Sequence, residues 1–150
     1  MLSLHEQVRP MELDSIIGQA AAVKAVRRIG ATTGHAGRAY WITGKTGQGK
    51  TTLARIIAAE VADPFCTEEI TADDLTAEKL REIERTMHTY GWGAKIGRAF
   101  IVNEAHGLTG KAVRMLKGIL EPIPSHVVWV FTTTRAEEGL LFEGAEAAKP

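Results

Sequence analysis

The stretch "AYWITGKTGQGKTTLARIIAAEVAD", Ala39 to Asp63, decides how the rest of the chain is read. Its first five residues, Ala39 to Thr43, are a short, mostly apolar run that enters a glycine-rich loop. Beyond the loop, Leu53, Ile56, Ile57 and Val61 recur at helical spacing. The expectation is strand, loop, helix. Within the stretch, "GKTGQGKT" (Gly44 to Thr51) fits the pattern G-x-x-x-x-G-K-[ST] in the strand-to-helix context which that pattern requires. Glycines there let the backbone curl so that successive N–H groups, with the positive end of the following helix, converge on phosphate oxygens. Lys50 then reaches the β and γ phosphates, and the Thr51 hydroxyl coordinates Mg²⁺. The residues expected to bind nucleotide here are Gly44, Lys45, Thr46, Gly47, Gln48, Gly49, Lys50, Thr51 and Thr52. The plainer alternative is a glycine-rich turn that only joins strand to helix.

Outward from this point the elements alternate. A helix over Gln19 to Ile29 precedes the first strand, and "TTGHAGR" connects them as a turn-rich segment. "CTEEIT" (Cys66 to Thr71) reads as a second strand. It is followed by "TAEKLREIERTMH", in which Thr76 can cap a helix and Leu80, Ile83 and Met87 form its apolar stripe. "AFIVNE" and "VVWVFTT" are near-continuous apolar, β-branched and aromatic runs, the pattern of strands buried on both faces of a parallel sheet. The helix "TGKAVRMLKGILE" between them is ended by Pro122 and Pro124. This order implies an α/β fold, a three-layer αβα sandwich with a parallel sheet, as a single domain over residues 1–135. Residues 136–150 lose periodicity and are expected to be a disordered tail.

The second chemical signal is "RAFIVNEAHGLTG", Arg98 to Gly110. In nucleotide hydrolases with such a loop, a neighbouring apolar strand ends in an Asp that serves the magnesium shell. Asn103 takes that place here, with Glu104 next to it to orient the attacking water or accept its proton. An amide oxygen still accepts a hydrogen bond but brings no charge, which is expected to weaken the metal site by about tenfold or more. The metal ligands expected are therefore Thr51 and Asn103. A capped strand end before a turn is the plainer reading of "NEAH".

Composition narrows the function classes. With 45% hydrophobic and 24% charged residues, and no apolar run near the ~20 residues of a membrane span, the chain reads as a soluble globular protein of 150 residues. "MLSLHEQVRP" has no cationic start followed by an apolar stretch, so a cytoplasmic location without membrane attachment is expected. Lys plus Arg and Asp plus Glu are 18 each, which leaves no strongly basic field to hold nucleic acid alone. Cys66 is the single cysteine and reads as a packed thiol.

Beyond these local signals, the sequence resembles clamp-loader ATPases of the AAA+ superfamily, the group that includes the bacterial DNA polymerase III gamma/tau subunit and the small subunits of replication factor C. "RPMELDSIIGQAAAVKAV" resembles their N-terminal box, and "GKTGQGKTTLARIIAAEVA" their phosphate loop and first helix. "IVNEAHGLTGKAVRMLKGILEPIPSHVVWVFTTT" resembles their run from the acidic strand end to the fourth strand. The likeness spans roughly Arg9 to Thr134. It implies that Arg9, Pro10, Ile17 and Gly18 border the adenine, and that Thr133 or Thr134 senses the γ-phosphate, with Thr134 favoured by register. ATP and Mg²⁺ are the implied ligands. Other AAA+ subunits of a homo- or hetero-oligomer are the implied partners, with DNA and a sliding clamp engaged only through the assembly. Catalytic roles would fall to Lys50, Glu104 and Thr134.

Three departures qualify this picture. Asn103 replaces the family Asp, "GAEAA" stands where the family places an arginine that completes a neighbour's site, and no helical lid follows. An ATP-binding, weakly hydrolysing core for DNA replication or repair is thus the first expectation. A subunit that holds nucleotide without hydrolysing it is the second, and another AAA+ motor such as a branch-migration helicase or helicase loader is the third. A sheet of four strands would leave the "AYWIT" edge open unless "GLLF" in the tail or another chain covers it. Lys111, Arg114 and Lys117 read as a solvated helix face, "YGWG" as an aromatic turn on the sheet edge, and His106 as a hydrogen-bonded turn residue.

Overall fold

The apolar runs that surround the phosphate loop become neighbours in one parallel sheet. The computed structural model describes residues 20–45, 49–134 and 146–148. In chain order the elements are α1 (Ala20–Thr32), β1 (Arg38–Thr43), α2 (Lys50–Val61), β2 (Thr67–Thr71), α3 (Ala77–Met87), β3 (Arg98–Asn103), α4 (Gly110–Leu120), β4 (Val127–Thr133) and β5 (Glu146–Ala148). The strand order is β2-β3-β4-β1-β5, with every pairing parallel. Helix α1 continues to Thr32, three residues past its expected end at Ile29.

Alternation along the strands divides the core in two. Trp41, Phe100, Val102, Trp129 and Phe131 face α3 and α4, whose Leu80, Ile83, Met87, Leu116 and Ile119 cover them. Tyr40, Ile42, Ile101, Val128 and Val130 face the opposite way, onto Val26 of α1 and Leu53 and Ile57 of α2. Each large apolar side chain so enclosed contributes about 1.5–3 kcal/mol. All seven residues of β4 are buried, as befits a strand covered on both faces.

The β1 edge is covered from within the chain. Glu146–Ala148 pair in parallel with Tyr40–Ile42. The sequence assigns 136–150 to a tail without regular structure and points to "GLLF" as the cover. Here the three-residue β5 satisfies part of the edge, since unpaired N–H and C=O groups on β1 offer a ready template. Residues 139–142 lie outside the described residues.

Away from the site, several side chains settle into structural roles. The Cys66 thiol is buried and accepts from the Trp92 amide at 3.4 Å. Tyr90 packs on His126 with ring centroids 4.4 Å apart, and Trp92 stacks on Phe65 at 4.1 Å, although both aromatic side chains remain largely exposed. Arg98 donates to the carbonyls of Thr89 and Tyr90, tying this turn to β3. Lys111, Arg114 and Lys117 all face solvent on α4.

Candidate functional site

The carboxyl ends of β1, β3 and β4 converge on the amino end of α2, and the way α2 begins sets the chemistry. Its N-cap is Gly49, at φ 81° and ψ 20°, a left-handed conformation that glycine takes without steric cost. Glycine has no side chain to accept from the first-turn amides, and no acidic residue follows in that turn. The first backbone bond closing onto this cap is from Leu53 N–H to the Gly49 carbonyl, at 2.9 Å. Among the described residues no side chain caps this turn, and its amides and the helix dipole favour an anionic acceptor.

Lys50 opens the helix, half-buried, with Nζ donating to the Lys45 carbonyl at 2.8 Å. Burial lowers its ammonium pKa from the ordinary lysine value, and the Glu104 carboxylate opposes that shift. A phosphate here would oppose that lowering, as the Glu104 carboxylate does. Gly44 donates to the Thr133 carbonyl at 3.2 Å, which fixes the start of the loop to the end of β4. Thr52 is buried, whereas Lys45 is exposed. Thr46, Gly47 and Gln48 lie outside the described residues, as do Arg9, Pro10, Ile17 and Gly18.

Across the sheet, Asn103 ends β3 on the face that carries α2. Its Oδ1 accepts from Thr132 Oγ1 at 2.9 Å and, in a longer bond, from Thr51 Oγ1 at 3.4 Å. Its Nδ2 donates to Glu69 Oε1 at 2.7 Å. Arg55 grips the same carboxylate, with Nε to Oε2 at 2.8 Å and Nη2 to Oε1 at 3.0 Å. The expected metal ligands Thr51 and Asn103 are therefore brought together. Both carry side-chain oxygen, the donor type that Mg²⁺ takes, while phosphate and water would have to supply the rest of an octahedral shell. No group of three or more His, Cys, Asp or Glu is assembled for a metal among the described residues.

Glu104 follows with φ 57° and ψ 47°, the one non-glycine residue at positive φ among those described. Such a conformation costs about 1–2 kcal/mol and is found where a site over-determines the backbone. The carboxylate is 61% exposed and lies 3.1 Å from His106 Nε2, whose Nδ1 is 3.2 Å from Thr133 Oγ1. His106 is thus a bridge between the last buried hydroxyl of β4 and the candidate base. Thr134 sits exposed one residue beyond β4.

Glu69, Arg55 and Thr132 belong to this site, and nothing in the local sequence marks Arg55 or Thr132. Glu69 and Asn103 are 34 residues apart, and only the pairing of β2 with β3 puts them on one face. The acidic third position of "TEEIT", on a strand beside the "NE" strand, is the one signal that could have pointed to Glu69.

The family model for the ATPase family associated with various cellular activities (AAA) matches residues 40–140. Among curated proteins, the chain is similar to DNA polymerase III subunit gamma of Buchnera aphidicola subsp. Schizaphis graminum, 27% identical over 152 residues. That match takes in 87% of this chain and 42% of the relative, so the chain spans less than half its length. Among solved structures, a Thermotoga maritima RuvB mutant superposes with a TM-score of 0.72 at 22% identity, covering 95% of this chain and 49% of that one. A DNA polymerase III gamma subunit-related protein from Thermotoga maritima gives 0.66 at 14% identity, covering 87% and 45%. Identities this low carry the fold.

Proposed function

The chain belongs to the AAA family of ATPases, and from that footing we propose that it is the ATP-binding core of a clamp-loader-like assembly acting in DNA replication or repair. The observation that carries the reading is the amino end of α2: a glycine cap, a half-buried Lys50 and Thr51 directed at Asn103. The curated relative named as a DNA polymerase III gamma subunit supports the replication setting.

The loop amides and Lys50 hold the phosphates, with Gly44, Lys45, Thr46, Gly47, Gln48, Gly49 and Thr52 shaping the cradle. Thr51 and Asn103 are the residues that would offer side-chain oxygen to Mg²⁺. When bound, Mg²⁺ supplies positive charge against the β and γ phosphates. Glu104 orients or deprotonates water, and its exposure lets a water reach it. His106 restrains the Glu104 carboxylate through the bond that links it to Thr133. Extending the alternation of β4 by one residue puts Thr134 on the side of Thr132, which supports Thr134 as the group that meets the γ-phosphate. Arg9, Pro10, Ile17 and Gly18 border the adenine in this reading. Turnover by the isolated chain is slow, because an arginine from another AAA+ subunit would be needed to spread transition-state charge, an effect of ~10³–10⁵ in rate. DNA and a sliding clamp are reached through that assembly.

A second reading, a subunit that holds ATP without hydrolysing it, is favoured by Asn103, whose amide is bonded at both ends and carries no charge. Titrating the chain with a fluorescent ATP analogue, with and without Mg²⁺, tests the shared premise: saturable binding displaced by unlabelled ATP is expected, and no binding overturns both readings. Phosphate release with candidate partner subunits then separates them.

A further inference from the structure

Asn103 looks, from sequence, like a charge that has been lost. Its surroundings give it a different character. The two ends of the amide face different kinds of group: Nδ2 meets the Glu69 carboxylate at 2.7 Å, and Oδ1 meets the hydroxyls of Thr132 and Thr51. An ionised carboxylate only accepts hydrogen bonds, so it selects the NH₂ end of the amide and turns the oxygen the other way. Arg55 holds Glu69 with a two-pronged contact, which keeps that acceptor from swinging aside. The sheet contributes as well, since Glu69 lies opposite Ile101 and therefore shares the α2 face with Asn103.

We propose that Glu69 is a positioning residue for the metal side of this site. It locks the Asn103 amide with its oxygen toward Thr51, while Arg55 holds the Glu69 carboxylate in place. The proposal rests on the nucleotide-site reading for its functional consequence, though not for the pairing itself. A charge-assisted bond at Nδ2 also draws electron density onto Oδ1, which makes that oxygen a better acceptor than an isolated amide. Glu69 acts through Asn103 and need not touch the ion.

Positions 69 and 103 are consequently a matched pair. Glu with Asn, or Gln with Asp, satisfies the same hydrogen bond with one negative charge. Glu with Asp sets two carboxylates at that contact with no proton between them, and like charges so close are destabilising. Installing the family Asp alone is therefore expected to harm this site.

Four proteins test the pairing: the wild type, Asn103→Asp, Glu69→Gln and the double variant. Melting without nucleotide and in a metal chelator is the first readout, and the gain in ATP affinity on adding Mg²⁺ is the second. Asn103→Asp is expected to melt about 5 °C lower, and the double variant to regain most of that loss. Glu69→Gln alone is expected to cut the Mg²⁺ gain by about threefold, as its amide no longer dictates which way Asn103 faces, while the double variant keeps the gain. If Asn103→Asp does not fold, a folded double variant supports the pairing equally well, and a double variant that also fails to fold overturns it. Wild-type melting for Asn103→Asp, or a double variant as damaged as the two single changes summed, overturns the proposal too. A wild type that binds no ATP instead defeats the nucleotide reading, and the chelator melts still decide the pairing.

Discussion

Helices α2, α3 and α4 each follow a strand or turn at the same edge of the molecule, yet they start in opposite ways. In α3 the Thr76 side chain accepts from the Lys79 amide at 3.2 Å, and in α4 Thr109 accepts from the Ala112 amide at 3.1 Å. Both are local solutions to the unpaired first turn. Helix α2 starts on a left-handed glycine and, among the described residues, has no side-chain cap. The difference separates two uses of one element: a capped helix is a scaffold, and an uncapped one is, in the function proposed above, a receptor for anions. A chain that follows the local rules at two helices and departs from them at a third, beside a strained Glu104, puts its local exceptions where the nucleotide site is proposed.

Four changes can break or sharpen this contrast. Leu80→Ala empties a fully buried position of α3 and is expected to cost about 2–5 kcal/mol in denaturant unfolding, with nucleotide affinity of the folded fraction unchanged. A loss of affinity there would mean that scaffold and receptor are not separable. Thr109→Ala removes the α4 cap, and a loss of about 1 kcal/mol, again without effect on nucleotide, is expected from the same measurement. Glu104→Gly relieves the left-handed strain and should raise stability by up to about 1 kcal/mol while removing whatever phosphate release the wild type shows. A destabilised Glu104→Gly protein would show that its carboxylate contacts outweigh the strain.

The smallest effect is on pH. His35 is buried against Glu60 Oε2 at 2.7 Å and the Tyr40 hydroxyl, with Arg38 also nearby. Burial lowers its pKa, the Glu60 carboxylate opposes this, and Arg38 adds to the lowering. The unfolded chain therefore takes up a proton more readily than the folded one. Stability from this group is intact above the ordinary histidine value of 6.5 and is lost as pH falls from there through the lower folded value. Between pH 7.5 and pH 5 the melting temperature should drop less when His35 is replaced by Gln than in the wild type, a difference of about a few degrees at most.

How much of this was legible beforehand follows from where the information sits. The strand, loop and helix around Gly44 to Thr51 are a local pattern, and so are the stripe of Leu80, Ile83 and Met87 and the cap at Thr76. All of them are readable from spacing alone. The parallel sheet follows from apolar runs long enough to be buried on both faces, as in β4. Glu69, Arg55 and Thr132 were not legible, because their meeting at Asn103 depends on register between strands distant in sequence. The left-handed Glu104 was hidden for another reason: glutamate gives no compositional hint of positive φ. The β5 strand "EAA" has neither the length nor the β-branched content that would announce it.

The central claim is that the open amino end of α2, with its single ammonium, binds a triphosphate and that the capped helices do not contribute. Isothermal titration of Mg-ATP into the wild type, Lys50→Ala and Thr76→Ala, each first shown to be folded by its melting curve, tests it most directly. Lys50→Ala is expected to weaken affinity by about tenfold or more, while Thr76→Ala binds as the wild type does. Equal affinity for the wild type and Lys50→Ala, or an equal loss in both variants, would contradict the claim.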